Sequence, residues 1–226
     1  MRRGFLLIAA LLAPLVVNAQ ALVESPVRFE EGTHYFRIAS PLATESPGKV
    51  EVTEVFSYGC PACFRFEEVM DRIRAELPEN AVLRLEPASF REDESWPLFQ
   101  RAYLTAKQLG IAEKTHAAMF EAIWADGPLK VFDRSTRRPI FPSIEQVADF
   151  YAGHGVSAEA FLAAANASSM EVRMMQGDYW VQSAGTDSTP TLVINGKWRL
   201  TPRSAGGIEP TIALIKHLVA METTAD

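Results

Sequence analysis

Cysteine is almost missing from this sequence: Cys60 and Cys63 are the only two in 226 residues. That excludes a disulfide-stapled scaffold, which holds itself together with several bridges. Histidine is scarce as well, with His34, His116, His154 and His217 scattered singly. With no second C-x-x-C and no H-x-x-x-H, a metal site has no ligand set, and none is expected. Apolar runs are short. The longest, Phe5 to Val17, falls below the roughly 20 residues that a membrane-spanning helix needs. Basic charge is in deficit, 22 Lys and Arg against 28 Asp and Glu, and a net charge of −6 makes nucleic acid a poor partner.

What stands at the N-terminus is an address. Arg2 and Arg3, the apolar run and Ala19-Gln20-Ala21 together predict a secretory signal over residues 1–21, cleaved after Ala19 or Ala21. The arginine pair also resembles a twin-arginine signal, but the polar residues usual before such a pair are absent, which favours the general secretory route. Removing both arginines takes the net charge from −6 to −8. In an oxidising compartment, two cysteines at close spacing point to thiol chemistry.

Those cysteines sit in Val50 to Met70, where a β-rich apolar run breaks at Gly59 and Cys60-Pro61-Ala62-Cys63 opens a helical pattern. Pro61 suits the first helical turn, since its missing N–H has no acceptor there anyway. Cys60 then lies at the helix N-terminus, where free amides and the positive dipole end favour a thiolate. Cys63 follows one turn on, on the same face. As a structural disulfide the pair closes too small a ring to stabilise much, and as half a zinc site it lacks companions. A dithiol/disulfide redox centre is the reading the residues favour.

Along the chain, His34 to Ile38 reads as a short edge strand and Val50 to Ser57 as a strand covered on both faces. Glu54 interrupts it. The carboxylate belongs either to a solvated sheet margin or to a buried acid beneath the helix. The helix from Pro61 runs through Phe64, Phe66, Val69, Met70 and Ile73 and ends near Leu77 ahead of Pro78, and Ala81 to Glu86 alternates as a second strand, so strand, helix and strand imply a parallel pair. From about residue 95 to 185 helical patterns take over: Trp96 to Leu109, Ile111 to Trp124, Ser143 to Tyr151 with the capping pattern Ser143-x-x-Gln146, Ser157 to Ala165 and Ser169 to Ala184. Between them Gly127 to Pro142, with Arg134, Arg137 and Arg138, reads as a solvated basic loop. Strands resume at Thr189 to Ile194, turn at Asn195-Gly196 and return as Lys197 to Leu200, before a last helix from Ile208 to Ala220. The expected class is α/β: a thioredoxin-like fold over 22–226, one domain with a helical insertion between its second strand and the Pro190 strand.

Taken together, Phe56 to Cys63 with Phe66-Glu67-Glu68 behind it, and Thr189-Pro190 ahead of Val193-Ile194-Asn195-Gly196, resemble the DsbA-type thiol:disulfide oxidoreductases across nearly the whole mature chain. The resemblance implies that Cys60 is the exposed nucleophile, Cys63 its buried partner, and Thr189-Pro190 a cis peptide beside them. It also implies that Glu54 is a buried acid serving Cys63. Pro61 and Ala62 would shape the site. The implied cofactor is none beyond the Cys60-Cys63 disulfide. The implied partners are unfolded exported proteins and a membrane quinone reductase of the DsbB type, for a monomer in the periplasm. Two departures stand out. Ala62 replaces a histidine common at that position, and the lysine that often faces the buried glutamate is not evident, Arg84 being a candidate substitute. An isomerase or reductase of the same fold is the enzymatic alternative, and a peptide-binding chaperone the non-enzymatic one. Against the former, the segment before the central strand is too short for a separate dimerisation domain.

The Ala62 departure yields a test. A tenfold change in thiolate equilibrium is worth about 1.36 kcal/mol, which for a two-electron couple is about 30 mV. Ala62→His is expected to lower the Cys60 pKa and raise the reduction potential together by tens of millivolts. Thiolate absorbance and equilibration with glutathione measure both, and constancy of both would acquit the dipeptide of control.

Overall fold

A computed structural model describes residues 28–125 and 127–224. The signal expected over residues 1–21 lies outside the described residues. In chain order the elements are β1 (Phe36–Arg37), β2 (Val50–Phe56), α1 (Pro61–Glu76), β3 (Ala81–Pro87), α2 (Trp96–Gln108), α3 (Ala112–Trp124), β4 (Phe132–Asp133) and β5 (Arg138–Pro139). There follow α4 (Ile144–Ala152), α5 (Ala158–Ala165), α6 (Ser168–Ser183), β6 (Thr191–Ile194), β7 (Trp198–Leu200), α7 (Pro202–Ala205) and α8 (Ile208–Thr223). None of these helices is long and apolar enough to cross a membrane.

The central sheet runs β1-β7-β6-β2-β3, with β2 parallel to β3 and antiparallel to β6. Every residue of β2 is buried, as its nearly unbroken apolar composition requires of a strand covered on both faces. One apolar cluster joins Val50, Val52, Phe66, Met70 and Ile73 to α8 residues such as Leu214 and Leu218. A second joins Val55, Phe56 and Tyr58 to Phe99, Phe120, Tyr151 and Phe161 of the insertion. Each fully buried side chain of this kind contributes about 1.5–3 kcal/mol before conformational entropy is subtracted. The insertion is therefore packed onto the sheet through one continuous aromatic layer.

Local signals mark the element ends. Pro61 occupies the first turn of α1, and the helix stops at Leu77, which takes extended geometry before Pro78. Ser143 and Gln146 form the expected capping box of α4. The strand expected from Thr189 starts instead at Thr191, because Pro190 has no amide to give the ladder. Gly127 to Pro142 is not simply a loop: Phe132 pairs with Pro139 and Asp133 with Arg138 in a small hairpin. Asp133 accepts from the Ser135 and Thr136 amides to close its turn, while Arg134, Arg137 and Arg138 are exposed as expected. Strands this short carry too few residues to show a period.

The β6-β7 turn is the most demanding. Asn195 has φ 51° and Gly196 φ 63°, and the Lys197 amide donates to the Ile194 carbonyl at 2.9 Å. Positive φ at both central residues is what a type I′ turn needs. The Leu42 amide also donates to the Gly196 carbonyl at 2.9 Å. Glu222 of α8 secures the turn, accepting from Asn195 Nδ2, Lys197 Nζ and Trp198 Nε1 at 2.8, 2.5 and 2.7 Å. A Cβ at Gly196 would stand 2.3 Å from the Leu42 carbonyl oxygen. Gly196→Ala combines left-handed strain with overpacking and is expected to destabilise the protein by about 2–4 kcal/mol in chemical denaturation. A loss below about 1 kcal/mol would mean that the Leu42 segment yields freely.

Candidate active site

β2 ends at Phe56, and Ser57 to Gly59 lead into α1. The Cys60 amide donates to the Ser57 carbonyl at 3.0 Å and the Gly59 amide to Ser57 Oγ at 3.1 Å, so the turn is held from within. Two tryptophans of the insertion clamp it from outside. Trp124 Nε1 donates to the Tyr58 carbonyl at 2.8 Å. A Cβ at Gly59 would meet the Trp96 ring at 2.8 Å, so this turn requires glycine for close approach.

The two sulfurs live in different surroundings. Cys63 is 0% exposed and Cys60 7%. The expected exposed nucleophile, Cys60, is thus mostly buried, and it lines a groove at the helix end together with Trp96 and Thr189. Opposite it the Thr189-Pro190 peptide is cis, and the Thr189 carbonyl accepts from Cys60 Sγ at 3.6 Å. A hydrogen bond from the Cys63 thiol brings the Cys60 pKa down to about 6 against the cost of burial. The Thr189 side chain and the Cys63 and Ala62 amides add to the lowering. Burial pushes the Cys63 thiol up, with the Cys60 hydrogen bond and nearby Glu54 in the same direction.

Glu54 is 0% exposed, and neither of its oxygens has a hydrogen-bond partner among the described residues. Of the two sequence readings, the solvated sheet margin is the one the structure removes. Desolvation raises its pKa well above the carboxylate range, Glu67 and Cys60 add to the rise, and Arg74 opposes it. A carboxyl that holds its proton more tightly than usual and acts electrostatically on the Cys63 thiol is suited to exchange a proton with it. Arg84 does not face Glu54. It lies opposite Thr53 in the register and reaches Glu51 at 3.1 Å and Glu45 at 2.8 Å, on the other side of the sheet, because alternate strand residues point to opposite faces.

Beside Cys60 opens a groove of about 600 Å³. Pro61, Phe90, Trp96, Trp124 and Thr189 line it, together with Phe132, Ile140 and Phe141 of the small hairpin region. Phe141 is 60% exposed and Phe132 46%, unusual for phenylalanine on a surface. Sequence reasoning brought Cys60, Cys63, Pro61, Ala62, Glu54, Thr189 and Pro190 to one place, and the fold does so. It gave no role to Tyr58 and Glu67, which lie inside the quoted motifs, and it missed Trp96, Trp124 and His116, whose aromatic or polar character on helices core residues share. Among the described residues no cluster of three or more His, Cys, Asp or Glu side chains could hold a metal ion.

The same architecture is found in known proteins. The family model described as "Thioredoxin" matches residues 43–213. The thiol:disulfide interchange protein DsbA of Azotobacter vinelandii is 32% identical over 222 residues, 98% of this chain and 97% of that one. The chain belongs to the DsbA family. The crystal structure of DsbA from Pseudomonas aeruginosa superposes with a TM-score of 0.73 at 32% identity, covering 87% of this chain and 96% of that one. DsbA from Xylella fastidiosa gives 0.73 at 31%, with 84% and 96% covered. The DsbA resemblance of the sequence therefore extends to the whole described fold.

In the reduced protein, iodoacetamide is expected to modify Cys60 with a half-maximal rate near pH 6 and to spare Cys63. The linked stability has a definite sign. A depressed thiol pKa stabilises the folded reduced state above the unfolded value of about 8.5, and that contribution is lost as pH falls through about 6. Preferential labelling of Cys63, or a midpoint near the free thiol value, would contradict this environment.

Proposed function

We propose that the Cys60-Cys63 disulfide is donated to reduced proteins as they fold, making this DsbA-family thiol:disulfide oxidoreductase a dithiol oxidase. The observation that carries the reading is the asymmetry of the two thiols, one drawn down to about 6 and the other pushed up. A stable Cys60 thiolate is a good leaving group and stabilises the reduced enzyme, so the disulfide gives up its oxidising equivalents readily. A substrate thiolate attacks Cys60 Sγ, the Cys60-Cys63 bond breaks, and Cys63 leaves as a thiolate that takes a proton from Glu54. The second substrate thiolate then attacks the substrate sulfur of the mixed disulfide and releases Cys60 as a thiolate. Two electrons pass from substrate to enzyme, and no cofactor beyond the two sulfurs takes part.

The groove supports a polypeptide substrate. Exposed Phe132, Ile140 and Phe141 offer apolar contact within reach of Cys60, as an unfolded chain carrying a reduced cysteine would use. We further propose export to the periplasm, action as a monomer, and reoxidation by a membrane quinone reductase of the DsbB type, all in keeping with the DsbA relatives and the signal-like N-terminal sequence.

The test uses reduced, unfolded ribonuclease. Oxidised protein is expected to restore its disulfides and activity. The Cys60→Ser, Cys63→Ser double variant is expected to lose this, and Cys63→Ser alone to accumulate mixed disulfides through Cys60. Ribonuclease regained equally with the double variant would leave a chaperone in place of an oxidase.

A further inference from the structure

The groove beside Cys60 is the middle one of three cavities in series. On one side it shares Trp124, Val131, Phe132 and Ile140 with a cavity of about 410 Å³. On the other it shares Phe90 and Asp187 with a cavity of about 630 Å³. The outer two have no lining residue in common, so they extend the groove in different directions. They also differ in sign. Lys130 and Arg134 stand in the first, and Glu92, Asp178 and Asp187 in the second. Asp133 lines the first as well, but its carboxylate is committed to its own turn, accepting from the amides and hydroxyls of Ser135 and Thr136.

The cations belong to the β4-β5 hairpin and its approach. Residues 127–142 carry Lys130, Arg134, Arg137 and Arg138 against the single carboxylate of Asp133, in a chain whose net charge is −6. Arg134, Arg137 and Arg138 are exposed and make no ion pair among the described residues, whereas Arg72, Arg84, Arg91 and Arg101 each hold a carboxylate. Arg137 has φ 54°, a conformation that glycine adopts freely and other residues do not, yet the turn carries a cation there. Phe132 and Ile140 line both the cationic cavity and the Cys60 groove, so an apolar surface joins the arginines to the reactive sulfur.

We propose that this hairpin selects which reduced polypeptides react: it favours chains that carry aspartate or glutamate beside an aromatic residue on one side of the reacting cysteine. The inference deepens the dithiol-oxidase reading and rests on it. The substrate's ring covers Phe132 and Ile140, and its carboxylates meet guanidinium groups, whose planar forks suit them. Exposed ion pairs contribute little singly. Three unpaired arginines of one sign act together instead, raising the encounter rate of an anionic chain in a manner that salt suppresses. The carboxylates beyond Phe90 repel the same residues, so the direction in which a chain crosses Cys60 is set as well. An anionic membrane surface would also attract a basic, aromatic hairpin. The apolar surface shared with the Cys60 groove favours a chain that reacts there.

The experiment uses the oxidised full chain and follows its reduction by short dithiol peptides, whose two cysteines become a disulfide as the Cys60-Cys63 bond is reduced. The peptides are alike except for a Glu-Glu-Phe or a Lys-Lys-Phe segment placed before or after the cysteines. Each rate is divided by that of the same protein with dithiothreitol, which is neutral and carries no flanking segment. At about 20 mM salt, one placement of the acidic segment is expected to react about tenfold faster than its lysine counterpart, and the advantage to shrink to about twofold at about 0.5 M salt. The ratio should fall below about twofold in the combined Arg134→Ser, Arg137→Ser, Arg138→Ser variant and invert when the same three positions are changed to glutamate. All three are exposed, so these variants should keep the fold. A ratio near one in the parent protein at low salt, or one unmoved by the serine changes, would overturn the selection. Sedimentation with vesicles of phosphatidylglycerol and phosphatidylcholine that the serine variant loses, with the peptide ratio unmoved, would assign the hairpin to a membrane surface and overturn it too. If dithiothreitol reduces the protein but no peptide is oxidised, the dithiol-oxidase reading itself fails.

Discussion

One proton shared unequally between two sulfurs governs this structure. Cys60 and Cys63 lie a turn apart on one helix, yet one thiol is drawn down and the other pushed up. Burial raises Cys63, and the bond in which its thiol donates to Cys60 works in both directions: it draws Cys60 down and makes the Cys63 proton harder still to remove. The helix end helps Cys60 alone, since only that sulfur meets the unpaired amides, while Cys63 faces the sheet and the carboxyl of Glu54. Fold and chemistry are joined there. The fully buried strand that ends just before the helix forces Glu54 indoors and so supplies the acid.

The insertion is part of the same site. Trp96 and Trp124 bind the turn ahead of Cys60, and Phe120 and His116 pack against Phe56 and Tyr58 in edge-on and tilted contacts near 5–6 Å. Such aromatic pairs add about 0.5–1.5 kcal/mol each beyond area burial. Their greater effect is geometric, because a turn tied on both sides keeps the helix end aimed at the Thr189 carbonyl. The small hairpin then extends the insertion over the groove, placing apolar side chains where a substrate chain would lie.

Much of this was legible in the residues. Pro61 and the period of Phe66, Met70 and Ile73 announced α1; Asn195-Gly196 announced the hairpin; Ser143 and Gln146 announced α4. Each of these is a local rule, satisfied within a few residues. The site's long-range members were not legible for the opposite reason. His116 stands 49 residues beyond Glu67 in the chain, and nothing near it in sequence says that its ring will meet that carboxylate. Arg84 shows the same limit from another side: its partner depended on strand parity, which a charge pattern alone does not reveal. Phe132, Ile140 and Phe141 look like ordinary loop apolar residues until the hairpin lays them beside Cys60.

The sheet's connectivity has a consequence in time. β2 pairs with β3 across one helix, but its other neighbour, β6, enters only after the entire insertion, with Val52 opposite Ile194. A chain made from its N-terminus completes the cysteine helix long before Thr189 exists, and a pairing so distant in sequence forms late because its loop must close first. The sulfur that does the work is therefore left without one of its tuning groups until the rest of the molecule has assembled around it, so that full reactivity arrives as a property of the finished protein and not of the nascent segment that carries the cysteines.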